Sequence, residues 1–320
     1  MSTRVRPSSF SGMVLSVLLA LAVGVAGCAS DTASADAPPT TARSTPTVAG
    51  STTASPVAAS SLTALATATS IPAAPTAIPT NPPEPTATAA PRDVIYAPIL
   101  MYHSFDNAKD IYSIRPEVFQ AQLEAIKKAG FHPVTMKQIL AAMDDGAPLP
   151  DHPIVITLDD ARATQKSAIE MLQQEGFTAT LFVPSGWHEL SKDYIVQLDH
   201  EGFDIESHTV WHANLAQTPD KITEIHEGQQ TLEQWLGRPV TGFAYPYGAY
   251  RPADVVELKK DGFVYALSIR NGAALRRSER YEWPRFLVTN EDPDHLISRL
   301  NNALEDAEAG KEPPAPSQFG

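Results

Sequence analysis

A Gly-Phe pair recurs four times in this chain, at Gly130-Phe131, Gly176-Phe177, Gly202-Phe203 and Gly262-Phe263, each time after a stretch with helical periodicity. Each Gly stands where a helix is expected to end in a left-handed cap, and each Phe is expected to open a strand. Ahead of Gly130, Phe119, Leu123 and Ile126 fall at helical spacing, and Pro116 suits the first turn. Strands are expected at 99–102, 154–158, 178–183, 203–206, 241–244 and 263–269. Several of these are continuously apolar, as strands covered on both faces must be. Helix and strand therefore alternate, which implies an α/β fold with a parallel sheet and crossover helices, either open or closed into a barrel.

The repeat begins only after a long preamble. Residues 29–92 are almost entirely Ser, Thr, Ala and Pro, without aromatic residues, and before Arg92 carry only Asp31, Asp36, Arg43 and Glu84 as charges. Such a stretch cannot bury enough apolar surface to offset its ordering entropy, so 28–92 is expected to be a disordered, extended tether. Ahead of it, Arg4 and Arg6 precede an apolar run at 13–25, too short to span a bilayer comfortably, and then Val25-Ala26-Gly27-Cys28. This resembles a bacterial lipoprotein signal. The resemblance implies cleavage after residue 27, lipidation of Cys28 and anchorage on the outer face of the cytoplasmic membrane or the cell surface. A plain secretory signal is the alternative, and export follows from either. One domain is expected at 93–300, followed by a tail at 301–320.

A net charge of -13 argues against a nucleic-acid partner, because polyanions are bound by neutralising phosphates with Lys and Arg. With one Cys in the chain, no intramolecular disulfide and no Cys-based zinc cluster can form. Any metal must be held by His and carboxylates.

Two such groups stand out. Asp159 and Asp160 directly follow the apolar run 154–158, where adjacent carboxylates repel each other and resist desolvation. A bound cation would compensate them, although a solvated turn or helix cap also suits an Asp pair. His208 and His212 are four apart, a spacing that lets two imidazoles face one point and that also arises by chance. Together, one carboxylate and two imidazoles make a common catalytic ligand set with positions left open. All these residues fall at carboxyl ends of expected strands, where parallel-sheet enzymes build their sites.

Thr157-Leu158-Asp159-Asp160 resembles the T-F-D-D-G motif of polysaccharide deacetylases, the NodB-homology domain of carbohydrate esterase family 4. His208-Thr209-Val210-Trp211-His212 resembles the family's H-S/T-x-x-H motif, and Phe243-Ala244-Tyr245-Pro246-Tyr247-Gly248 its third motif. Trp283-Pro284-Arg285-Phe286 is similar to the segment whose Arg contacts the catalytic Asp, and Pro98-Ile99-Leu100-Met101-Tyr102-His103 to the opening strand of one subgroup. The resemblance spans about residues 93–289 in the family's order. It implies a deformed (β/α)7-type barrel and metal-assisted hydrolysis. Asp160, His208 and His212 would hold Zn²⁺ or another divalent ion such as Co²⁺ or Ni²⁺. Asp159 would be the base, Arg285 would hold it, and the Tyr247 N–H would meet the oxyanion. Tyr245 and Pro246 would lie at the substrate.

The family's late His motif is absent: after Arg285 the only His is His295, which lacks an apolar strand setting. His103, at the end of the first apolar strand, is the candidate general acid; the alternative is a His that orients Tyr102 or a nearby loop. Ala161 stands where the family has Gly and is followed by Arg162, and Ala244 stands where many members have Arg, so an altered loop and a sole dependence on Arg285 are expected. Trp187 and Trp211 are candidates for stacking on sugar faces, with packing behind the ligands the alternative for Trp211. Trp235 is expected in the core, and His188, His200 and His226 in solvent. The implied function is N-deacetylation of a GlcNAc-containing polysaccharide by a monomer. An O-acetyl esterase of the xylan type and a non-catalytic glycan-binding lipoprotein are the rival readings; a free Asp159 favours catalysis over mere binding.

Overall fold

The computed structural model describes residues 90–311. Cys28, the signal segment and most of the tether lie outside the described residues, so those expectations are left as stated. In chain order the elements are β1 (Val94–Tyr96), β2 (Ile99–Tyr102), α1 (Pro116–Lys128), β3 (His132–Val134), α2 (Met136–Asp144), β4 (Pro153–Asp159), α3 (Gln165–Glu175), β5 (Thr180–Val183), α4 (Lys192–His200) and β6 (Asp204–Ser207). A π-helical turn (Thr223–Glu227) then leads into α5 (Gly228–Leu236), followed by β7 (Gly242–Ala244), α6 (Pro252–Lys260), β8 (Tyr265–Leu267), β9 (Ala274–Arg276), β10 (Phe286–Leu287) and α7 (Pro293–Glu308).

Seven strands form a parallel sheet in the order β10-β2-β4-β5-β6-β7-β8, with β3 added at the foot of β4. The sheet curls. Trp283 bridges to Leu267 of β8, and three residues later Phe286 and Leu287 pair with Leu100 and Met101 of β2. One short segment thus draws the two sides of the sheet together, in agreement with the expected deformed barrel. Side chains alternate between two cores: Leu100, Tyr102, Ile156 and Leu158 face the helices and meet Phe119, Leu123 and Ile126 of α1, while Ile99, Val155, Phe182, Tyr265 and Trp283 fill the inside of the curl. Both faces are covered, which is why the strands read as unbroken apolar runs.

The glycines of the four Gly-Phe pairs have φ of 79°, 70°, 95° and 84°, the left-handed conformation expected of them. Strand starts differ from expectation. Phe177 and Phe263 are followed by short links, so β5 begins at Thr180 and β8 covers only Tyr265–Leu267. The antiparallel β1–β9 ribbon and the short β10 carry too few residues to register as periodic runs. α7 continues past the expected domain end to Glu308 and buries Ala307. Trp235 packs on the rim of the core against His188, whose Nδ1 bonds to the Leu190 carbonyl, so His188 is half-buried where solvent was expected. His226, paired with Asp261, keeps 43% of its side chain exposed, and His200 is exposed, both as expected. No helix among the described residues is long and apolar enough to cross a membrane.

Among the described glycines the least room for a Cβ is at Gly242, where it would lie 2.2 Å from the hydroxyl of the buried Tyr265. Gly242→Ala is expected to destabilise the protein by about 1–3 kcal/mol through overpacking, read as a lowered urea midpoint.

Candidate active site

The strand ends bring the sequence-expected residues to one face. Asp159 closes β4, His208 follows β6, Tyr245-Pro246-Tyr247 follow β7, Trp187 follows β5 and His103 follows β2. Gln165 ties two of these ends together, its side-chain amide donating to the His103 carbonyl at 2.7 Å and to the Asp159 carbonyl at 2.6 Å.

Asp159 is 1% exposed and accepts a hydrogen bond from Arg285 Nη1 at 2.8 Å on Oδ1. Arg285 is itself buried and donates from Nε to the Ser268 carbonyl at 3.1 Å and from Nη1 to Thr157 Oγ1 at 3.3 Å. Burial alone would raise the Asp159 pKa. The adjacent charge of Arg285 and its hydrogen bond outweigh that burial and hold the carboxyl below its ordinary value.

Asp160 is 4% exposed, and its pKa is raised by burial and by the neighbouring Asp159. Its two oxygens differ. Oδ2 accepts from Arg162 at 3.1 and 3.3 Å, whereas Oδ1 is buried without a hydrogen-bond donor among the described residues. That oxygen lies 3.2 Å from His212 Nε2 and 3.7 Å from His208 Nε2. His208 donates from Nδ1 to the Ala244 carbonyl at 2.7 Å, which fixes its tautomer and leaves Nε2 as a lone-pair donor. Burial pulls the His208 pKa down to about 3 and also lowers that of His212, so both rings are neutral.

One ligand atom from each of Asp160, His208 and His212 falls within 4.8 Å of the others. Tetrahedral bonds of about 2.0–2.1 Å place ligand atoms about 3.4 Å apart. The donor set, its spacing and the orphaned Oδ1 therefore fit a divalent cation. Asp159, committed to Arg285 through Oδ1, keeps Oδ2 at 3.9 Å from His208 Nε2.

Backbone strain concentrates here. Among the described residues six non-glycine residues have positive φ, and five of them surround the site: Asp160 (80°), Ala161 (51°), Thr209 (70°), His212 (57°) and Tyr247 (60°). Left-handed backbone costs roughly 1–2 kcal/mol for a residue with a Cβ, so neighbouring contacts must enforce it. At Ala161, the position expected to be glycine, the carbonyl accepts from the N–H groups of Glu189 and Leu190 at 2.9 and 3.0 Å, while Glu189 accepts from the Ala163 N–H at 2.9 Å. The loop after β5 thus clamps the turn after β4, and the turn keeps the left-handed form despite the added methyl.

Some expectations need correction. Tyr245 and Pro246 are buried, with the Tyr245 hydroxyl bonded to the Tyr281 carbonyl and its ring stacked on Tyr250; they support the turn from behind and offer no surface to a substrate. Tyr247 instead is 61% exposed, its ring edge-on to His212. Trp187 and Trp211 are 42% and 63% exposed and flank His212, Trp211 lying over Gly186. Burial lowers the His103 pKa against the opposing pull of Asp159 and Asp160, and its Nδ1 is buried without a partner among the described residues. Sequence reasoning missed what Arg162 does, which is to grip Asp160 and stack over Trp187 at 4.5 Å. It also missed Gln165 and Glu224. Only Arg162, two residues from Asp160, carried a signal.

The family model for polysaccharide deacetylase matches residues 146–266 of this chain, and the curled parallel sheet is the fold of solved deacetylase structures. A curated relative, the poly-β-1,6-N-acetyl-D-glucosamine N-deacetylase of Staphylococcus aureus, is 25% identical over 218 residues, covering 61% of this chain and 75% of that protein. Among solved structures, a Streptococcus pyogenes deacetylase in complex with acetate superposes with a TM-score of 0.60 at 20% identity, covering 64% of this chain and 98% of that one. A polysaccharide deacetylase from Bacillus cereus superposes at 0.58 and 24% identity, covering 65% and 69%.

Arg285→Met removes the counter-charge of a buried carboxylate and is expected to cost about 3–5 kcal/mol, measured by chemical unfolding of metal-free protein. The double variant Asp159→Asn, Arg285→Met should recover part of that loss.

Proposed function

We propose that this protein is a metal-dependent hydrolase that removes N-acetyl groups from a GlcNAc-containing polysaccharide, working as a monomer outside the cell on a lipid anchor at Cys28. The observation that carries the catalytic reading is the division of labour between adjacent carboxylates: Asp160 offers an unpartnered oxygen beside two neutral imidazoles, while Asp159 is held ionised by Arg285. Glycan binding alone needs no such base. The relative that acts on poly-β-1,6-N-acetyl-D-glucosamine supports the substrate class, and the signal-like sequence ending at Cys28 supports the location.

Asp160, His208 and His212 would hold Zn²⁺ or a similar ion, such as Co²⁺ or Ni²⁺. When bound, the ion supplies Lewis-acid polarisation of the acetyl carbonyl and acidifies water. Asp159 takes the proton of the attacking water, and Arg285 keeps that carboxylate in place. The backbone N–H of Tyr247 faces the developing oxyanion. As the C–N bond breaks, the amine nitrogen needs a proton, and His103, with its unpartnered Nδ1, gives it. Acetate and a free amine on the sugar are the products. Trp187, Trp211 and Tyr247 line the approach as stacking surfaces for the chain.

Acetate release from β-1,6-linked N-acetylglucosamine oligomers is expected, abolished by chelator and restored by zinc. Asp159→Asn should lower kcat by roughly 10²–10⁴-fold. His103→Ala should lower kcat with little change in KM, and full turnover in that variant removes His103 from the mechanism. Chelator-insensitive release contradicts the metal. Preference for acetylated xylan turns the reading towards an O-acetyl esterase.

A further inference from the structure

His208 and His212 are fixed by different means. The His208 ring is held directly, through Nδ1 and the Ala244 carbonyl at 2.7 Å. For His212 the described residues give ring contacts with Trp187, His208 and Tyr247 and the approach to Asp160, but no hydrogen bond of that kind. Its position is set by its backbone, which enters the site through a turn with Thr209 at φ 70° and His212 at φ 57°. Something must hold that turn in a conformation non-glycine residues disfavour.

Glu224 does so. It is 7% exposed, and its Oε2 accepts both the Val210 N–H at 3.1 Å and the Trp211 N–H at 2.9 Å, the two amides directly before His212. Glu224 reaches them because residues Thr223–Glu227 form a π-helical turn, a widened turn that recurs at functional sites. Gly228, next in the chain, lets that turn press against the ligand loop: a Cβ there would lie 3.0 Å from the Thr209 carbonyl carbon. The carboxylate also places a negative charge close to His212.

We infer that Glu224 is the positioning residue of the metal site, clamping the turn 209–212 so that His212 Nε2 stands ready beside Asp160 before any ion arrives. The inference rests on the metal reading above and concerns affinity for the ion, with no part in the bond-making steps. Geometry and charge can be separated. Glu224→Asp keeps the charge but withdraws the oxygen from both amides; Glu224→Gln keeps an acceptor oxygen at the same reach and removes the charge.

The test is zinc affinity, measured by competition with a chromophoric chelator, alongside the melting temperature of each metal-free protein. Glu224→Asp is expected to bind zinc about 10–100-fold more weakly than wild type, the range seen when partners behind a ligand are lost. Glu224→Gln should lie nearer to wild type. Wild-type affinity in Glu224→Asp overturns the inference, whether or not its metal-free melting temperature falls, since a fall alone marks a purely structural role. If Glu224→Asp does not fold, Glu224→Gln decides: zinc binding closer to wild type than in His212→Ala supports the clamp, and binding as weak as His212→Ala overturns it. Failure of the wild type to bind zinc refutes the metal reading itself, a result distinct from all of these.

Discussion

The buried pair of Asp159 and Arg285 is the interaction on which the rest of the site depends. Two adjacent carboxylates withdrawn from solvent cannot both stay ionised without positive charge nearby. Arg285 provides it for Asp159, and Arg162 for one oxygen of Asp160, leaving one oxygen of Asp160 uncompensated and directed at two neutral imidazoles. The unmet charge defines the place for a cation more sharply than the ligand residues do by themselves.

The same arginine joins fold to chemistry. Arg285 sits between Trp283, which bridges to β8, and Phe286, which pairs with β2, so the segment that draws the sheet into a curl also delivers the counter-charge. Its guanidinium reaches Ser268, Thr157 and Asp159 from within the curl. Position 244, where the motif resemblance leads to an arginine, holds Ala, so no guanidinium from that position shares the task. The loops around the pair are held in left-handed conformations by contacts from neighbouring loops, as Ala161 shows: a methyl group at a position expected to be glycine is accommodated because Glu189 and Leu190 fix the carbonyl.

Much of this was legible in the sequence. The Gly-Phe pairs announced where helices end, and continuous apolar strands announced a sheet covered on both faces. The candidate ligands Asp160, His208 and His212 and the candidate base Asp159 stood out in the sequence because they are concentrated in two short stretches, 159–160 and 208–212, and the fold brings these together. What escaped has physical reasons. Glu224 acts across a π-helical turn whose geometry leaves no periodic mark. Gln165 works through side-chain bonds to two backbone carbonyls, and β10 is too short to show a pattern. Tyr245 and Pro246 read as substrate contacts because they belong to the third motif of the resemblance, yet of the three the turn points only Tyr247 outward and folds the other two into the core.

The central claim is that Asp160, His208 and His212 hold a divalent ion while Asp159 does not. Crystals grown with zinc and measured on both sides of the zinc absorption edge test it directly. The account predicts one anomalous peak at about 2.0–2.2 Å from Asp160 Oδ1, His208 Nε2 and His212 Nε2, with Asp159 still paired to Arg285. A peak bound by Asp159 in place of Asp160, or no peak at this site in zinc-saturated crystals, would contradict it.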